Sequence, residues 1–215
     1  MTNKVITISR QFGSGGRELG KRLSSLLEWD YYDKNIIVKL CEEENMSEKY
    51  VRRVFHDSEW ASLSQQNNNG SFAQIGVNSG WQLSLLGKQK ELIEKIPALG
   101  RDFIIVGRDA DVILEEYKPL RIFVCADIDF RLNRCMKREE KNEGTKLSEK
   151  KILSNIKRID RSRIQTREIL TGKSSSDPSA FDITVNTSSW NIPDLANSVA
   201  TFAKEWFNQC KTTEI

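Results

Sequence analysis

An α/β fold built on a central parallel sheet of about five strands is what this sequence predicts. Three observations carry it. Short apolar or β-branched runs alternate along the chain with helical patterns. Two of those runs, Phe103-Ile104-Ile105-Val106 and Leu120 to Ala126, are nearly continuous, as suits parallel strands covered on both faces. A glycine-rich turn links the first run to the first helical pattern, the opening of a βα unit.

The elements follow in order. Val5-Ile6-Thr7-Ile8 is a β-branched strand that stops at Ser9-Arg10-Gln11-Phe12-Gly13-Ser14-Gly15-Gly16. Leu19, Leu23, Leu26 and Leu27 then recur at helical spacing. Trp29 to Asp33 is strand-like and ends on a carboxylate, and Asn35 to about Phe55 is helical in two pieces. Gln65 to Ser71 is polar and turn-rich, and Gly80 to Ile96 is a helix closed by Pro97 and Gly100. After the strand at Phe103 come Gly107-Arg108-Asp109 and a helix-like segment to about Tyr117. After the strand at Leu120, Asp127 caps or precedes a basic helix with Arg131, Arg134, Lys137 and Arg138. Glu139 to Lys151 is charged, Ile152 to about Leu170 is helical, and Lys173 to Ser179 is a loop. Phe181 to Val185 is the last strand, and Ile192 to Phe207 a closing amphipathic helix.

Composition narrows the class. A chain of 215 residues suits one domain, or one domain with a large insertion, and buries enough surface to need no disulfide or structural metal. Lys+Arg is 33 against 30 Asp+Glu, and a formal charge of +3 argues for neither nucleic acid nor a membrane surface. No apolar run approaches the length of a membrane span. The opening Met1-Thr2-Asn3-Lys4 runs straight into a strand, so no secretory leader is expected there. Cys41, Cys125, Cys135 and Cys210 lie far apart with no metal-binding spacing, which points to a reducing, cytoplasmic setting. The single histidine, His56, excludes a His-rich zinc site and reads as a surface residue. Trp81, Trp190 and Trp206 lie on apolar faces, as core or interface residues, and a homodimer stays open.

Ligands of open α/β sheets sit beyond the carboxyl ends of the strands. The sharpest such end here is Arg10 to Glu18. Gly13, Gly15 and Gly16 strip side chains from a loop feeding a helix N-terminus, which leaves an anion cradle of main-chain amides, and Arg10 and Arg17 flank it with forked donors. A tight βα turn explains the glycines alone but not the two arginines. Arg108 can neutralise an acceptor phosphate and Asp109 can receive an amino or hydroxyl group; a simple Arg–Asp pair locking the strand end is the alternative. Asp33 either faces an acceptor or caps a helix. Arg131 with Arg134, and Arg158 with Arg161, share helical faces. Such a basic stripe also suits RNA, but no stacking aromatics are interleaved with it.

Ile6 to Glu18, Tyr31-Tyr32-Asp33-Lys34, Val106-Gly107-Arg108-Asp109-Ala110-Asp111, Asp160-Arg161-Ser162-Arg163, Thr171-Gly172-Lys173 with Asp177-Pro178-Ser179, and Phe181 to Ser188 stand in an order and spacing that resemble the cytidylate-kinase-like family of P-loop nucleoside monophosphate kinases. The resemblance implies one P-loop kinase-like domain over residues 1–215. It would be a P-loop NTPase three-layer sandwich with helices on both faces, an acceptor-side insertion over about 34–100 and a lid over about 135–163. It implies ATP as donor, Mg²⁺ as cofactor and a nucleoside monophosphate, CMP or dCMP, as acceptor. Arg10, Gly13, Ser14, Gly15, Gly16, Arg17 and Glu18 would hold donor phosphates, and Asp33, Arg108 and Asp109 the acceptor. Arg17, Arg131, Arg134, Arg161 and Arg163 would stabilise the moving phosphoryl group, with Asp160 orienting the lid and Asn186-Thr187-Ser188 near the donor's adenine. A helix-capping role explains Thr187 and Ser188 equally well. The loop departs from the standard G-x-x-x-x-G-K-[ST]. Aligned on Gly-Ser-Gly, Gly16 stands at the lysine and Arg10 at the first glycine; shifted by one, Arg17 takes the lysine position and Glu18 the metal-ligand position. The shifted register is preferred, because it keeps a cation and an oxygen ligand. Another small-molecule acceptor, or a nucleotide-binding regulatory module without turnover, are the rival readings.

Overall fold

Val5–Arg10 forms the central strand, β1, in the computed structural model, which describes residues 3–33, 87, 89–140, 147–172 and 178–210. Its first four residues, Val5 to Ile8, are buried, as the β-branched run requires of a strand covered on both faces. β2 (Asp30–Tyr32), β3 (Phe103–Val106), β4 (Leu120–Cys125) and β5 (Ile183–Asn186) complete one sheet. Its order is β2-β3-β1-β4-β5, and every pairing is parallel. The last strand begins two residues later than the sequence pattern suggests. Phe181 instead stacks on Phe123, and the Asp182 carboxylate accepts the Arg121 amide at 2.8 Å and its guanidinium at 2.7 Å. β4 also differs in detail: alternate residues are only half-buried, so one of its faces is less covered than a continuous apolar run implies.

The helices between the strands are α1 (Gly16–Leu27), α2 (Ala110–Ile113), α3 (Ile128–Glu139), α4 (Glu149–Thr171) and α5 (Ile192–Cys210). Leu19 and Leu23 of α1 and Leu195, Val199 and Ala203 of α5 pack on Ile6, Ile8, Ile104, Val106, Ile122 and Val124 of the sheet. A second core, Leu132 and Cys135 with Ile152 and Ile156, joins α3 to α4, and Phe12 packs against it. Asp127 takes the N-cap position of α3 without a side-chain cap bond.

By its contacts the chain forms two compact units, Met1–Asp33 with Gly100–Ile215, and Lys34–Leu99. In the second, residues 89–95 are helical and Ile96–Leu99 is a 3₁₀ turn. The expected helices over 35–55, His56, Cys41, Trp81 and the polar segment 65–71 lie outside the described residues, as do 141–146 and 173–177. No helix among the described residues is long and apolar enough to cross a membrane.

The chain goes from β1 outward to β2, back to β3, then across β1 to β4. The order therefore reverses beside β1, and its carboxyl end opens into a crevice at that switch point. α1 fits tightly over this point because Gly20 has no side chain: a Cβ there would lie 2.7 Å from Val106 Cγ2 and 3.1 Å from Tyr31 Cε2. An alanine in place of a helix-interior glycine ordinarily gains about 1 kcal/mol. Overpacking reverses the sign here, and Gly20→Ala is expected to lose about 1–2 kcal/mol. A lowered urea midpoint at unchanged slope is the readout; a raised midpoint refutes the packing account.

Candidate functional site

β1 hands the chain to α1 through Gln11 to Gly15, and sheet groups hold that loop. The Gln11 amide donates to the Val124 carbonyl (2.9 Å), while Gln11 Oε1 accepts the Ala126 amide (3.1 Å). Ser14 is fully buried and its hydroxyl bonds the Gln11 and Val124 carbonyls; the buried Thr187 hydroxyl donates to the Ser14 carbonyl at 2.6 Å. Gly15 is the N-cap of α1 at φ 89°, a conformation that favours glycine, and a Cβ there would strike Ile192 Cδ1 at 2.5 Å. The opening amides of α1 lack intrahelical acceptors, as at every helix start, so they and the helix dipole favour an anion in front of Gly16 and Arg17.

α3 and α4 roof the loop with charge. Arg131 is buried, ion-pairs with Asp160 and donates to the Phe12 carbonyl at 3.3 Å. Asp160 also accepts the Phe12 amide at 2.6 Å and lies 4.0 Å from the Arg163 guanidinium. Arg163 in turn donates to the Arg10 carbonyl at 2.9 Å and lies over the Phe12 ring. Arg134 pairs with Glu18, which Arg22 also contacts at 3.1 Å. Burial raises the Glu18 pKa, but the bonds from Arg134 and Arg22 outweigh it and hold it below the usual glutamate range. Arg161 is exposed and forms no ion pair among the described residues.

The second flank is the mouth of β3. The Arg10 side chain runs towards it: a Cβ on Gly107 would lie 1.5 Å from Arg10 Nη1. Gly107, Arg108 and Asp109 have φ of 81°, 65° and 50°, so two side-chain-bearing residues occupy the left-handed region in succession. Burial, and then the charge of Asp111, push the Asp109 carboxyl up to about 6. Arg167 pairs with the buried Asp111 at 2.6 Å. Across the mouth, Arg17 Nε lies 3.2 Å from Asp33 Oδ2, and the Tyr31 hydroxyl donates to Asp33 at 3.3 Å. Burial, and then Asp33, raise the Tyr31 pKa.

The expected residues thus fall into two groups. Gly13, Ser14, Gly15, Gly16, Glu18, Arg131, Arg134, Asp160 and Arg163 gather on the loop; Arg10, Arg17, Asp33, Arg108 and Asp109 flank the β2 and β3 ends. Arg161 joins neither. The sequence reading passed over Gln11, Asp111 and Arg167. One signal for Arg167 was present: Asp160, Arg163 and Arg167 stand at i, i+3 and i+7, one face of α4. Among the described residues no three His, Cys, Asp or Glu side chains gather as a metal site. The arrangement presents helix-start amides and guanidiniums at the loop and a further guanidinium, Arg108, at the β3 mouth.

Comparison with known proteins bears on the family and the fold. The model of the cytidylate kinase-like family matches residues 5–189. An uncharacterized protein from Eubacterium ventriosum superposes with a TM-score of 0.66 at 19% identity, over 94% of this chain and 99% of its own. Shikimate kinase from Bacteroides thetaiotaomicron gives 0.54 at 9% identity over 94% and 98%. Shikimate kinase from Acinetobacter baumannii, solved with shikimate, gives 0.51 at 11% over 95% and 94%. No curated protein matches the chain.

Two outcomes test the geometry. Asp160→Ala strands the buried Arg131 cation and should cost about 3 kcal/mol of stability by denaturant titration; an unchanged midpoint shows the pair to be idle. For Asp109, a folded value near 6 against an ordinary 3.8 means the folded state holds the proton more tightly. Its stabilising contribution is full below the lower value and lost as pH rises through the upper one, about 3 kcal/mol in all. Asp109→Asn should therefore gain on the parent by most of that amount between pH 4 and pH 7. A constant difference across the range contradicts the assignment.

Proposed function

Because the chain belongs to the cytidylate kinase-like family, we propose that it transfers the γ-phosphoryl group of ATP to a nucleoside monophosphate, CMP or dCMP. The observation that carries this reading is the placement of a glycine loop and helix start at the switch point, under Arg134 and Arg163 and beside a β3 mouth lined by Arg108 and Asp109. The amides at the start of α1 hold the donor's phosphates, whose charge the helix dipole and Arg134 offset. Arg108 receives the acceptor's phosphate, and Asp109 accepts from its base or sugar. In transfer, the bond from the γ-phosphorus to the β,γ-bridging oxygen breaks, a bond to an acceptor phosphate oxygen forms, and ADP leaves with the electron pair. The acceptor phosphate is already a nucleophile, so positioning and guanidinium charge suffice without a general base. Arg131 acts through the loop it braces rather than on the moving group.

The residues fit a polyphosphate. Arg131 Nε is buried without an acceptor among the described residues, a donor surplus rather than an acid surplus beneath the loop. They also fit magnesium that would be held mainly by phosphate oxygens and water, with Glu18, the acidic residue in the first turn of α1, as the protein group that could hold it. When bound, the ion would supply positive charge that offsets that of the phosphates.

A second reading, nucleotide binding without turnover, is favoured by one observation: the position aligned with the standard lysine is Gly16. Measuring ADP release over a panel of monophosphates, alongside ATP binding, separates the two. Turnover with CMP or dCMP is expected, at least tenfold above that with other monophosphates, roughly what one well-placed contact discriminates. ATP binding with no turnover on any acceptor selects the second reading, and turnover only on a non-nucleotide acceptor replaces the nucleotide assignment.

A further inference from the structure

Two departures from the standard phosphate loop meet in space. Gly-Ser-Gly alignment puts an arginine, Arg10, at the first glycine and a glycine, Gly16, at the lysine. A Cβ on Gly16 would lie 2.9 Å from Arg10 Cβ, 3.2 Å from Arg10 Cγ and 3.4 Å from Val124 Cβ. Those are stem atoms on a strand, with no freedom to swing aside. No side chain fits at position 16 while Arg10 stands where it does, so the two positions have exchanged size and charge as a unit. The stem of Arg10 covers the start of α1, and its head lies on Gly107, the residue after β3, whose amide donates to the Ile8 carbonyl at 2.9 Å. Two glycines, one on each side, make room for one guanidinium between the phosphate loop and the β3 mouth. Arg17, the cation that the shifted register would use, is drawn instead to Asp33 at 3.2 Å.

We infer that Arg10 supplies the cation that the loop's missing lysine would supply, gripping a phosphate between the donor loop and the acceptor mouth. The inference rests on the phosphotransferase reading and adds to it the residue that stands in for the lysine. Arg10 is half-buried, and a guanidinium can bridge two phosphate oxygens where an ammonium meets one. The strand-rooted stem of Arg10 and a side chain at position 16 compete for the same space, so a lysine there and this arginine exclude each other.

The test is a double-substitution cycle: the parent, Arg10→Gly, Gly16→Lys and the two combined, with Arg10→Ala beside them. Each is titrated calorimetrically with ATP and with inorganic tripolyphosphate, and each is melted without ligand. Arg10→Ala should melt near the parent and bind both ligands about tenfold or more weakly, the loss of a charge-assisted contact. Gly16→Lys alone should lower both melting temperature and affinity. The combined variant should recover both, because the standard arrangement is then rebuilt. Parent-like binding by Arg10→Ala overturns the inference, as does equal damage from Gly16→Lys with and without Arg10. A parent that binds neither ligand removes the phosphate reading of the whole site and the role of Arg10 with it; that failure is distinguished by its appearing in the parent, not in the variants.

Discussion

The loop of this protein is braced by one half-buried carboxylate. Asp160 receives the Phe12 amide from the loop and the Arg131 guanidinium from α3, with Arg163 of its own helix close by. Burying a carboxylate and a guanidinium costs solvation on both sides, and only a nearly complete set of bonds returns it. Here the set spans three elements. Removing any member leaves an uncompensated charge under the glycines, so the loop, α3 and α4 share one conformation.

The rest of the loop's shape is imposed by the sheet. Gln11 and Ser14 are tied to the end of β4, and Thr187, just beyond β5, fixes the Ser14 carbonyl. These partners lie more than a hundred residues away, which places the cost of shaping the phosphate cradle on the tertiary fold rather than on glycine's freedom. A cradle built in this way is pre-organised: little ordering remains to be done when an anion arrives. The α3–α4 core reinforces it through the ring of Phe12.

How much of this was legible in the sequence follows from the range of each interaction. The strands were, because buried parallel strands are written as apolar runs bounded by glycine and aspartate; Phe103–Val106 matches residue for residue. The glycine loop was, because backbone requirements are local. The start of β5 was misjudged at Phe181, where a ring stack and the Arg121–Asp182 fork delay the strand by two residues. Side-chain direction was not legible. Arg10 and Arg17 both flank the glycines in sequence, yet Arg10 crosses to Gly107 and Arg17 to Asp33, choices fixed by strand order. Nor was the Asp111–Arg167 pair, whose partners are separated by the whole of β4 and α3.

The backbone at Arg108 and Asp109 carries a different kind of information. Two consecutive residues with side chains sit where glycine would rest with less strain, at a cost on the order of 1–3 kcal/mol each. A selection for thermal robustness alone would drift towards glycine at both sites and erase the charges at the β3 mouth. On the proposed reading of this mouth, thermostabilising libraries built on this scaffold should hold these two codons fixed.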